Sequence, residues 1–241
     1  MSAWAAKRFW KEATVEPDKS GFSVLLDGRP VKTPAKSPLI LPTQAMADAV
    51  AQEWDAQEGK IDPNTMPVTR SANAAIDKVA TQHAEVAALL AEYGATDLLC
   101  YRAETPRELV ERQAQIWDPL LDWAADALDA RLVPATGVMF VPQDAGALQR
   151  LANRVAALDA YQMAAFHDLV GMSGSLVLAF ATALDQLPAQ EAWAISRLDE
   201  TWQEEQWGKD DDATAQAELK KAAFLHAKRF FDLAQGTQNG R

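Results

Sequence analysis

The chain has 241 residues, with 34 acidic against 23 basic side chains and a formal net charge of −11. That balance excludes nucleic acid as a partner, because binding it begins with clustered Lys and Arg on phosphates. Hydrophobic residues at 49% and charged residues at 24% exclude wholesale disorder, and the length allows one large domain or two smaller ones.

The first forty residues are β-like. Phe22-Ser-Val-Leu-Leu26, then Asp27-Gly28, then Arg29-Pro-Val-Lys-Thr33 predicts a hairpin, since Asp-Gly supplies the positive φ angles of a tight type I′ turn. Pro30 lacks an amide proton and places the second strand at an edge. Pro17-Asp-Lys-Ser-Gly21 predicts an earlier turn, and Leu39-Ile-Leu41 a further short strand, so a small antiparallel sheet results.

From Thr43 the period becomes helical. Thr43 can cap a helix with Met46, Val50 and Trp54 on one stripe and Gly59 as its stop. Pro67 opens the next, containing Ala72, Ile76 and Val79. Thr105-Pro106 starts a helix through Trp117, Leu120, Leu121 and Trp123, ended by the apolar connector Ala135-Thr-Gly-Val-Met-Phe-Val-Pro142. Asp144, Asp159 and Ser173 are expected helix starts. Pro188 begins a helix with Ile195, Leu198 and Trp202 on its stripe, running to Gly208. Asp210-Asp-Asp212 opens the last, with Lys220, Lys221, Lys228 and Arg229 further along, which complements the helix dipole. The fold class is therefore α+β: a small N-terminal domain of antiparallel sheet and helices, 1–85, followed by a larger helical bundle, 86–241.

No membrane insertion is expected. The longest uncharged stretch, Leu169 to Leu184, is shorter than a span and is broken by Gly171, Ser173, Gly174 and Ser175. The N-terminus carries neither a signal-peptide pattern nor a transit-peptide pattern, and a single Cys100 cannot form an internal disulfide. These features favour a bacterial cytoplasmic protein.

Catalytic chemistry finds little support. Three histidines, His83, His167 and His226, lack ligand spacing, and no Cys-x-x-Cys, EF-hand or phosphate-binding glycine loop occurs, so no metal and no cofactor are expected. Gly171-Met-Ser-Gly-Ser175 misses the hydrolase nucleophile elbow at its last position. Cys100 has apolar neighbours and no base nearby in sequence, and reads as a buried structural thiol. Asp199/Glu200 and Glu204/Glu205 are adjacent acids that point in different directions on a helix.

Tryptophan is the unusual feature, with 8 in the chain. Trp54, Trp117 and Trp202 fall on apolar stripes and are expected in the core. Trp207, before a helix-ending glycine, and Trp10, near the N-terminus, are candidates for partial exposure, and exposed aromatics beside acids suit protein recognition.

Arg8-Phe-Trp-Lys11, Val24-Leu-Leu-Asp-Gly-Arg-Pro-Val-Lys-Thr-Pro-Ala-Lys36, Leu41-Pro-Thr43, Glu53-Trp54 and Met66-Pro67 are followed by Tyr93-Gly-Ala-Thr-Asp-Leu-Leu-Cys-Tyr-Arg102 and Trp117-Asp-Pro-Leu-Leu-Asp-Trp123. Gly174-Ser-Leu176, Arg197-Leu-Asp-Glu200, Trp202-Gln203 and Trp207-Gly208 complete a series running along nearly the whole chain. In this order they resemble the assembly chaperones of the F-type ATP synthase α subunit. The resemblance implies a non-enzymatic monomer with an orthogonal helical bundle, which binds the free α subunit and masks its interface until β arrives. It implies a bacterial cytoplasmic location, or the mitochondrial matrix in eukaryotic relatives. It also implies that an acidic residue shortly after the Trp-Gly pair is functional, which maps to Asp212, or to Asp211 if the register differs by one. The expected partner-binding residues are thus Asp212, Asp211, Trp207 and Trp10. Two other classes compete: a helical adaptor with another client, and a small hydrolase, which needs Ser173 or Cys100 in a pocket beside His167 or another base.

Overall fold

The computed structural model describes residues 7–137 and 140–235; Val138 and Met139 of the expected connector lie outside them. The chain forms two compact units. One comprises 1–83 with 159–165 and 229–241, the other 84–158 and 166–228. Two later segments thus belong with the N-terminal part, although every residue after 86 reads as helical bundle in sequence.

The first unit is built on a small antiparallel sheet. Strand β1 (Ala13–Asp18) pairs with β2 (Gly21–Leu26), which also pairs with β3 (Arg29–Pro30) and with β4 (Ile40–Leu41). The Asp27-Gly28 turn has φ of 47° and 77°, the doubly positive geometry of the expected hairpin. Asp27 also accepts hydrogen bonds from the amides of Lys11 and Glu12 at 3.0 and 3.2 Å, which hold its carboxyl below the ordinary range. The strand β1 has no strong sequence signal, because only Ala13 and Val15 turn inward. Helix α1 (Gln44–Asp55) packs on this sheet through Met46 and Val50, both fully buried. Thr43 caps it, accepting from the Met46 amide at 3.1 Å and donating to the Leu233 carbonyl at 2.6 Å. Trp54, expected in the core, is only half-buried, because the stripe leaves the sheet at the helix end. Glu53 reaches across to cap α2 (Pro67–Ala74), accepting from the amides of Val68 and Thr69 at 2.7 Å each. The helix expected to contain Val79 changes character after Ala74, continuing as one wide turn over Ala75–Val79.

The second unit is largely helical. It receives α3 (His83–Glu92), α4 (Arg107–Ala127), α5 (Ala145–Ala156), part of α6 (Ala160–Ser173), α7 (Leu176–Ala183), α8 (Ala189–Ser196), α9 (Leu198–Trp207) and most of α10 (Asp211–Gln235). A two-stranded parallel pair, β5 (Tyr101–Arg102) with β6 (Ala135–Thr136), joins the loops around α4. All eight residues of α7 are buried, and this helix packs against α4 and α8. Its first turn is anchored by Asp97, itself 0% exposed. Asp97 accepts from the Leu99 amide (3.0 Å), the Ser175 hydroxyl (2.7 Å) and the Val177 amide (3.0 Å). The cap of α7 is Ser175, whose hydroxyl accepts from the Leu178 amide at 3.0 Å, whereas Ser173, the expected start, ends α6. Asp144 and Asp159 do cap α5 and α6.

The single helix expected from Pro188 to Gly208 is two, broken at Arg197 (φ −108°, ψ 23°). Ser196 donates to the Trp193 carbonyl at 2.8 Å, and the break lets Trp193 and Leu198 both reach the interior. Trp202, expected in the core, is half-buried.

Candidate functional site

Between Leu198 and Glu218 the chain carries eight acidic side chains against one lysine. Most of these acids are engaged. Arg197 pairs with Glu200 at 3.4 Å and with Glu204 at 3.6 Å, its guanidinium resting 5.8 Å from the Trp193 ring. Arg112 of α4 holds Glu205 with two hydrogen bonds of 2.6 and 3.0 Å and lies 5.9 Å from the Trp202 ring centre. This bidentate pairing keeps the Glu205 carboxyl below its ordinary range. Asp199 accepts from the buried Gln113 amide at 2.7 Å.

Pinned on these contacts, α9 ends by presenting Trp207 at 87% exposure. Gly208 then turns the chain with φ 90°, and its amide donates to the Glu204 carbonyl at 2.9 Å. Asp210 caps α10: its carboxylate accepts from the Ala213 amide at 2.7 Å. Asp211 and Asp212 follow in the first turn, exposed, with neither hydrogen bond nor ion pair among the described residues. Leu219, 65% exposed, lies seven residues beyond Asp212 and so on the same helix face. A protruding indole, two unengaged carboxylates and an exposed leucine thus share one helix–helix corner.

Trp207, Asp211 and Asp212 come together here; Trp10 is different. Its expected exposure is corrected by a value of 3%. The ring packs edge-on against Trp54 at 5.3 Å, and Arg8 covers it at 5.4 Å. Arg8 draws the segment inward by donating to the carbonyls of Lys11 and Gln57 at 2.8 Å each. The neighbouring Phe9 is turned out instead, at 64% exposure. Alternate side chains of an extended segment point opposite ways, which predicts one of the pair inside without saying which.

The residues a hydrolase needs are not assembled. Ser173 is buried and donates to the Leu169 carbonyl at 2.7 Å. His167 sits six residues earlier on α6, on another face, beside Asp168 at 3.2 Å. Burial pushes the Cys100 thiol up to about 12, far from a reactive thiolate. Among the described residues no group of three or more His, Cys, Asp or Glu could hold a metal ion, and no helix is long and apolar enough to cross a membrane.

The sequence pattern of the ATP12 chaperone protein family matches residues 7–125. Atp12p from Paracoccus denitrificans superposes with a TM-score of 0.94 at 50% identity over 96% of this chain and 100% of that one. A variant of it with one aspartate exchanged for lysine matches equally well, over 97% of this chain. The Atu1473 protein of Agrobacterium tumefaciens matches at 39% identity and TM-score 0.87, over 96% of this chain and 86% of that one. In Schizosaccharomyces pombe, the mitochondrial protein atp12 is 27% identical over 219 residues, 86% of this chain and 75% of that protein.

Proposed function

This chain belongs to the ATP12 chaperone family, and we propose that it holds the unassembled α subunit of the F-type ATP synthase until that subunit pairs with β. The observation that carries the reading is the corner of Trp207, Asp211, Asp212 and Leu219, exposed and unengaged on a chain of this family. An unassembled subunit displays interface surface that associates unproductively, and a protein that covers it keeps it competent for assembly. A tryptophan presented at the end of a pinned helix brings a large contact area at little entropy cost. Acids around it reject other apolar proteins and favour a basic rim on the client.

The role is one of binding rather than catalysis, in the compartment where the catalytic head assembles, the cytoplasm in a bacterium. The net charge of −11 opposes self-association and fits a monomer. Affinity capture from cells tests this reading. Tagged chain should enrich free α subunit over assembled ATP synthase, and added β should displace it. Enrichment of a different client would assign the chain to another partner.

A further inference from the structure

We propose that a second surface, the cleft beside the start of α9, takes the side chain of a lysine or arginine from the client, a proposal that rests on the chaperone reading above. The cleft has a volume of about 430 Å³ and is walled by Tyr101, Glu104, Gln113 and Asp199. Of these, Tyr101 and Asp199 lie in Tyr93–Arg102 and Arg197–Glu200, two of the segments that carry the family resemblance.

The charge in the cleft is uncompensated. Glu200, Glu204 and Glu205 are each matched by an arginine, but Asp199 is held by Gln113, a neutral amide. Gln113 is 1% exposed, and its oxygen accepts from the Ala103 amide at 2.9 Å, so its orientation and that of Asp199 are fixed. Glu104 is exposed, with no hydrogen bond or ion pair among the described residues. The one cation in the wall, Arg102, is already engaged: its guanidinium lies 5.3 Å from the Trp117 ring centre, pairs with Asp118 at 2.8 Å and donates to the Leu99 carbonyl at 2.8 Å. Two carboxylates therefore face the cleft without a counter-charge, beside a half-buried tyrosine able to receive an alkyl stem or a cation over its ring. The client supplies the occupant because Asp199 lies in the first turn of the helix that ends at Trp207, about 12 Å away at 1.5 Å per residue, within reach of one docked segment.

The test compares full-length wild type with Glu104→Gln, Asp199→Asn and the double variant, in binding to purified α subunit. Asparagine at 199 still accepts from Gln113, and Glu104 holds nothing, so melting temperatures should not move. Each single change should weaken binding about fivefold and the pair about twentyfold, with a shallower salt dependence. Glu104→Lys should weaken it further. Unchanged affinity in the double variant would overturn the proposal while leaving the chaperone reading intact. If wild type does not bind α subunit, the chaperone reading fails, and amide NMR with N-acetylarginine amide decides the cleft alone. Shifts at Ala103 and Gln113 in wild type but not in the double variant support cation recognition, and their absence from wild type overturns it.

Discussion

Two helices of the second unit are anchored at their starts by an aspartate, in opposite situations. At the start of α7, Asp97 and Ser175 are completely buried, and three donors converge on one carboxylate. At the start of α10, Asp210 alone serves the helix, while Asp211 and Asp212 point into solvent. The same residue type thus does structural service where its oxygens are filled and stays free for a partner where they are not. What separates the two is burial and hydrogen-bond occupancy. The tryptophans divide the same way, Trp10 locked under Arg8 and Trp207 protruding.

The largest effect should come from removing the filled carboxylate. Asp97→Ala strands the Leu99 and Val177 amides and the Ser175 hydroxyl in the interior, costing about 3–5 kcal/mol in urea unfolding. A loss under 1 kcal/mol would make the network dispensable. Trp10→Ala should cost about 3 kcal/mol as a core truncation, and Phe9→Ala less than about 0.5 kcal/mol. Equal losses would erase the inside–outside distinction drawn between these neighbours. For Trp207→Ala the expectation reverses: an unchanged melting temperature, and about 2 kcal/mol of lost client affinity by calorimetry.

The smallest effect is on pH. Hydrogen bonding to Asp168 raises His167 above the ordinary value of 6.5. Its contribution is therefore fully present below that pH and lost as pH rises through the raised value. Because the pair is half-exposed, the difference between wild type and His167→Gln should stay below about 0.5 kcal/mol and vanish by pH 9. A difference that grows with pH would reverse the sign assigned here.

Local chemistry was readable where it is encoded by neighbours. Asp27-Gly28 announced its turn, Thr43 its helix, and Trp117 its burial through an apolar stripe. The strand Ala13–Asp18 was not, since its outward residues and Pro17 mask a two-residue alternation. Nor was the break at Arg197, where helical periodicity continues across a kink made by tertiary packing. The site was half legible. The run Asp210-Asp-Asp212 has no residue pattern that divides its roles; the resemblance points to Asp212 or Asp211, and the cap geometry is what gives Asp210 to the helix. Trp10 misled because its burial depends on Arg8 meeting carbonyls far along the chain. Glu104 and Asp199 share a cleft through folding alone, with no sequence signal linking them.

The most direct measurement is the affinity of purified α subunit for Asp212→Lys and Asp211→Lys, beside their melting temperatures. Both acids are unengaged, so the fold should survive, a first-turn charge being worth only about 0.3–1 kcal/mol. Asp212→Lys should bind at least about tenfold more weakly, equivalent to about 1.4 kcal/mol. Wild-type affinity in both folded variants would contradict the account and leave these acids as ordinary helix-end charges.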